Sequence, residues 1–148
     1  MEKMMVVLDD VEYALQLMLP MRRPEARMEW VVLACPPRLT RHIGRWVNQA
    51  SRKAWRERWL QEVRQRLNAQ CLQEGDVLRV QVLEGGLQAR VACLLKAHPT
   101  ACLLDARRPR LGQDLTPVTP GQPQTQHATW TLSGGAAAMG VALILAAE

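Results

Sequence analysis

Phenylalanine is absent from this chain of 148 residues, and tyrosine occurs once. Aromatic bulk rests on five tryptophans, so the apolar volume of any core must come from Leu, Val, Ala and Met. A long apolar run is also missing. The most apolar stretch, 132–147, falls short of the about 20 residues a membrane span needs, and Gly134, Gly135 and Gly140 weaken it as an isolated helix. It reads better as a turn of helix followed by a strand over 141–146. The four cysteines, Cys35, Cys71, Cys93 and Cys102, show no C-x-x-C spacing, which argues against a metal or redox motif. They are expected to be reduced core residues. Acids follow the first apolar run within ten residues, so no secretory signal is visible, and a cytoplasmic setting is expected.

Charge is unevenly present. The net charge is +5, yet no charged residue lies between Asp114 and Glu148. Residues 38–66 instead hold Arg38, Arg41, Arg45, Arg52, Lys53, Arg56, Arg58, Arg64 and Arg66 against only Glu57 and Glu62. Such a stretch is most simply a solvated helix face. Its tryptophans, Trp46, Trp55 and Trp59, also allow contacts with phosphate backbones and stacking on bases. Arg45, Arg52, Lys53 and Arg56 are the residues that would serve nucleic acid or another anionic partner.

The length suits one domain, 1–148, able to bury roughly two-thirds of the surface its unfolded chain exposes. Met4-Met5-Val6-Val7-Leu8 is a short continuous apolar run, the signature of a strand buried on both faces. A helix follows over about 11–22, with Val11, Ala14, Leu15, Met18 and Leu19 at helical spacing and Pro20 and Pro24 at its end. Residues 28–35 form a second strand closed by Pro36 and Pro37. A long helical stretch over about 40–73 comes next, with Thr40 as a plausible cap, Gly75 as the stop, and possible breaks at Gly44 and Ser51. Its apolar stripe is Leu39, Ile43, Trp46, Val47, Ala50, Trp55, Trp59, Val63 and Leu67. A third strand over 77–83, a helix over 87–98 and a fourth strand over 100–104 complete an alternating order that predicts a parallel sheet covered on both faces. Residues 112–128, rich in Gln, Thr and Pro, read as an irregular loop.

Ligands of open α/β sheets sit at the carboxyl ends of the strands. Asp9 and Asp10 stand at the end of the first strand, and Asp105, Arg107 and Arg108 at the end of the fourth. If the two strands are neighbours, three carboxylates could share one crevice and suit a hard cation such as Mg²⁺. The plainer alternative is that Asp10 caps the following helix while Asp9 and Asp105 pair with Arg107 or Arg108. The same acids resemble a response-regulator receiver, but the 95-residue gap from Asp10 to Asp105 is too long and no Lys follows Lys96. His42, His98 and His127 are scattered and form no nucleophile–base arrangement.

The element order, together with Val6-Val7-Leu8-Asp9-Asp10-Val11-Glu12-Tyr13-Ala14-Leu15 and Val82-Leu83-Glu84-Gly85-Gly86-Leu87-Gln88-Ala89, resembles the universal stress protein family over most of residues 4–108. Asp9 falls where that family ends its first strand in Asp. The resemblance implies a doubly wound, mainly parallel five-stranded sheet with helices on both faces, and a homodimer contact through the last strand. Nucleotide-binding members follow strand four with a Gly-x-x-Gly run and a later Gly-Ser or Gly-Thr, whose backbone amides cradle phosphates. Here the fourth strand runs into Asp105-Ala106-Arg107-Arg108-Pro109-Arg110-Leu111-Gly112. Pro109 removes an amide donor, and a carboxylate about 5 Å from a phosphate oxygen repels it by roughly 1–3 kcal/mol. Ser133-Gly134 follows too long a loop to replace the late element.

The expected function is therefore a non-enzymatic regulatory or stress-response module acting through partner binding, without a cofactor. One alternative is a binder of ATP with Mg²⁺ through an altered phosphate loop, using Asp9, Asp10, Asp105, Arg107 and Arg108. The other is a basic adaptor for nucleic acid or an anionic surface.

Overall fold

A computed structural model describes residues 1–37, 48–109 and 116–119, with the backbone of 129–132 and 141–143. Strand β1 (Glu2–Leu8) leads into helix α1 (Val11–Met18), and a short 3-10 turn follows at Leu19–Met21. Next come β2 (Met28–Ala34), α2 (Gln49–Gln70), β3 (Val77–Val82), α3 (Leu87–Ala97) and β4 (Cys102–Asp105). Two short strands close the order, β5 (Thr129–Leu132) and β6 (Val141–Leu143).

The sheet runs β3-β2-β1-β4-β5-β6. Its first four strands are parallel, in the registers Val6↔Val32, Val32↔Val80 and Val6↔Leu104. β5 and β6 are antiparallel additions, with Leu104 opposite Thr131 and Trp130 opposite Ala142. The expected alternation of parallel strands and helices is present, but the sheet has six strands rather than five. The difference is β5, whose Thr-Trp-Thr-Leu sequence is too short to stand out beside a Pro-rich loop. The expected last strand is found at Val141–Leu143, and its remainder, 144–146, lies outside the described residues.

Side-chain alternation along the central strands divides the core in two. Val6, Leu8, Trp30, Val32 and Leu104 pack with Val11, Ala14, Leu15 and Met18 of α1 and Val63 and Leu67 of α2. Met5, Val7, Leu33 and Leu103 point the other way and pack with Val91 and Leu94 of α3 and with Val118. Gln88 Nε2 donates to the Pro117 carbonyl at 3.0 Å, so this part of the irregular stretch lies against α3.

Boundaries shifted for local reasons. α1 gives way to the 3-10 turn where Pro20 supplies no backbone N–H. α2 begins at the Asn48 cap, whose side chain accepts from the Ser51 N–H at 2.8 Å. Residues 38–47, with Thr40, Leu39, Ile43, Gly44, Trp46 and Val47, lie outside the described residues. Within α2 only Val63 and Leu67 are buried; Trp55 and Trp59 are half-buried and Ala50 is exposed. Gly75 does not cap the helix but turns the chain after it, at φ +90°. Among the cysteines, Cys71 alone is buried, Cys35 and Cys102 are half-buried, and Cys93 is exposed on α3, contrary to the expectation of four core residues.

Candidate site at the ends of the central strands

The strand order reverses direction at β1: the chain steps to β2 and β3 on one side, then crosses to β4 on the other. The carboxyl ends of β1 and β4 thus flank the switch point at which open α/β sheets bind ligands. Pairing continues past the strands, with the Ala106 N–H donating to Val7 O at 2.8 Å and the Cys35 N–H to Leu8 O at 2.7 Å. This register brings Asp9, Asp10, Cys35, Asp105, Arg107 and Arg108 to one end of the sheet.

The carboxylates do not converge there; donors from the chain itself engage each one. Asp10 Oδ1 accepts from the backbone N–H groups of Glu12 at 3.0 Å and Tyr13 at 3.2 Å, capping α1. Its other oxygen receives Arg108 Nη1 at 3.2 Å. Burial opposes ionisation of Asp10, but the Tyr13 N–H, Arg108 and the Glu12 N–H outweigh it and hold the carboxyl below its ordinary value. Asp9 Oδ1 accepts from the Arg108 N–H at 2.8 Å.

Asp105 and Arg107 form the centre of the arrangement. Arg107 Nε and Nη2 donate to the two carboxylate oxygens at 2.8 and 2.9 Å, and the Arg107 N–H also reaches Oδ1 at 3.3 Å. The pair is bidentate, and its side chains are only 6% and 8% exposed. Burial disfavours the guanidinium charge, yet the hydrogen bonds and charge of Asp105 raise the Arg107 pKa overall.

Neighbouring groups register the same field. Burial pushes the Cys35 thiol up to about 11; Arg107 pulls against this, and Asp9 and Asp105 add to it. Tyr13 is raised by burial, then by the charges of Asp105 and Asp9. A thiol so raised is protonated at neutral pH and a poor nucleophile. Among the described residues no group of three His, Cys, Asp or Glu side chains could hold a metal ion. His98 ends α3, and His42 and His127 lie outside the described residues.

The basic residues of α2 stand apart from this crevice. Arg52, Lys53 and Arg56 are exposed and line an open groove of about 630 Å³ between the first half of α2 and the carboxyl end of β3. Arg45 lies outside the described residues.

Two acids of consequence escaped sequence reasoning. Glu29 is buried in β2, where Arg79 Nε of β3 donates at 2.9 Å and Lys3 Nζ of β1 lies at 3.5 Å. Burial opposes its charge, but Arg79 and Lys3 hold its pKa down. Asp76 accepts from the Met28 N–H at 2.9 Å and the Gln73 N–H at 3.0 Å, tying the start of β2 to the turn before β3. A lone acid inside an apolar strand was the available signal for Glu29; for Asp76 there was none beyond a turn-forming residue type.

Together these features define an α/β protein with four parallel strands, whose strand-end aspartates are engaged by its own arginines. No family model matches the chain, and no curated protein or solved structure does. Among the described residues no helix is long and apolar enough to cross a membrane.

Proposed function

We propose that this chain is a regulatory module of the universal stress protein type, doubly wound and cytoplasmic, that works by binding a partner and does not hold ATP in that family's manner. The observation that carries this reading is the buried, bidentate Asp105–Arg107 pair at the switch point. A triphosphate drawing on the Arg107 guanidinium would have to separate that pair. Breaking a buried pair is disfavoured by about 3–5 kcal/mol. An otherwise 10 μM ligand, bound by about 7 kcal/mol, would keep little of its affinity. The Arg108 N–H, which could have served a phosphate, is already donated to Asp9.

Thermal denaturation with ATP and Mg²⁺ tests this directly. A site with Kd near 10 μM would stabilise the fold by about 2.7 kcal/mol at about 1 mM ligand, moving Tm by roughly 5–10 °C for a chain of this size. No shift is expected; a shift of that size would establish the ATP and Mg²⁺ alternative instead.

The reading includes a homodimer through the last strand. β6 ends the strand order, and an edge strand invites pairing with a second copy. Light scattering after size exclusion should give twice the chain mass at about 10 μM, within the range of modest interfaces; a monomer at that concentration would exclude this part of the proposal.

A further inference from the structure

Along α2 one face changes character. In the second half, Leu60, Val63 and Leu67 face the sheet, with the last two buried in the core. Stepping back by helical turns from Leu60, the same face carries Arg56 and then Arg52, with Lys53 beside it. A helix that only had to cover the sheet would continue its apolar stripe there, and a merely solvated charge would sit on the opposite face with Ala54 and Arg58. Here the cations face the sheet side instead. They line a groove with Leu60 and Val82, two apolar side chains that are left half-buried.

We propose that this groove docks an acidic peptide segment of a protein partner, with an aliphatic side chain anchored on Leu60 and Val82 and flanking carboxylates on Lys53 and Arg56. The inference rests on the partner-binding reading above and gives that partner its chemistry. The groove floor is aliphatic, which suits an apolar anchor at the centre of a small interface; no aromatic side chain lines it to stack on bases, which disfavours single-stranded nucleic acid. Glu57 and Glu84 at the same groove would repel a uniformly anionic strand, whereas a peptide can space its acids to avoid them. Strand addition to the outer edge of β3 is opposed at one of its outward carbonyls. The Leu83 N–H donates to Ala34 O of β2, so by alternation the Val80 carbonyl points outward, and Arg64 Nη2 already covers it at 3.2 Å.

The test is a selection of displayed random peptides, about twelve residues long, on the full chain. Binding of the selected peptides is then measured by fluorescence anisotropy against the chain and its K53E/R56E variant. Selected sequences should combine Asp or Glu with Leu, Ile, Val or Met, and the variant should bind them at least about tenfold more weakly. Both substituted residues are exposed, and K53Q/R56Q provides a milder second variant should charge reversal disturb folding. The proposal is overturned by failure to enrich any sequence, by enrichment without acids, by equal binding to the variants, or by a single-stranded oligonucleotide binding more tightly than the selected peptides. None of these outcomes bears on ATP, so failure here leaves the reading drawn from the Asp105–Arg107 pair standing, and a nucleotide-induced Tm shift would leave the groove untouched.

Discussion

The side chains that decide the character of the strand-end crevice are Asp105 and Arg107, and their contribution to folding is asymmetric. With both present, charge and hydrogen bonds offset the loss of hydration. Arg107→Met would deprive a carboxylate that is 8% exposed of its guanidinium. Urea denaturation should show a loss of about 3–5 kcal/mol. Replacing both residues, Asp105→Leu with Arg107→Met, should recover most of that loss, because a well-packed apolar pair of similar volume is often neutral or better. If the double variant is as unstable as the single one, the pair is doing more than neutralising its own charges. An Asp immediately before a helix is a readable cap, and Asp10 caps α1 as its position suggested. That Asp105 would be matched by the second residue after it, Arg107, rather than by the third, Arg108, was open in the sequence. The choice depends on how the chain turns past β4, where Arg107 is directed inward and Arg108 outward to Asp10.

Elements were legible where a period was strong. β1 and β2 announce themselves as continuous apolar runs, and both are buried on two faces. α3 shows its inward residues Val91 and Leu94 at helical spacing. α2 misled in detail because Trp is counted as apolar by any pattern, while here Trp55 and Trp59 sit at the margin of the core. β5 was illegible, since its Thr-Trp-Thr-Leu alternation lasts only four residues beside a Pro-rich loop. Links between elements were also hidden, because a side chain that binds two backbone groups leaves no period. Asp76 is such a link: its two oxygens satisfy N–H groups at the start of β2 and in the turn after α2. Asp76→Ala should therefore destabilise the fold by roughly 2–4 kcal/mol, since two part-buried donors lose their acceptor. Hydrogen exchange should accelerate first at the Met28 and Gln73 amides. Unchanged protection at both would show that water replaces the carboxylate without loss.

For the molecule as a whole, the shifted groups define a pH window of stability. Asp10 and Glu29 are held below their ordinary values in the folded state, so they bind fewer protons there than in the unfolded chain. Their stabilisation is complete above the unfolded values of about 4 and is lost as pH falls through the folded ones. The thiols act at the other end. Burial raises Cys35 and Cys71 to about 11, against an unfolded value near 8.5, so the folded state keeps protons that the unfolded chain releases. Their contribution is full below about pH 8.5 and is lost progressively up to about pH 11, by roughly 2–3 kcal/mol each. Tyr13, also raised, extends the decline beyond pH 10. Unfolding free energy should accordingly be flat between about pH 5 and 8 and fall on both sides. Substituting Cys35→Ala and Cys71→Ala together should flatten the alkaline limb up to about pH 10, above which Tyr13 still titrates, while leaving the acid limb in place, whatever the cost in core packing does to the plateau. Asp10→Asn, which still caps α1 but cannot titrate, should soften the acid limb alone. A decline between about pH 8.5 and 10 that survives removal of both thiols would place its origin in groups other than Cys35 and Cys71.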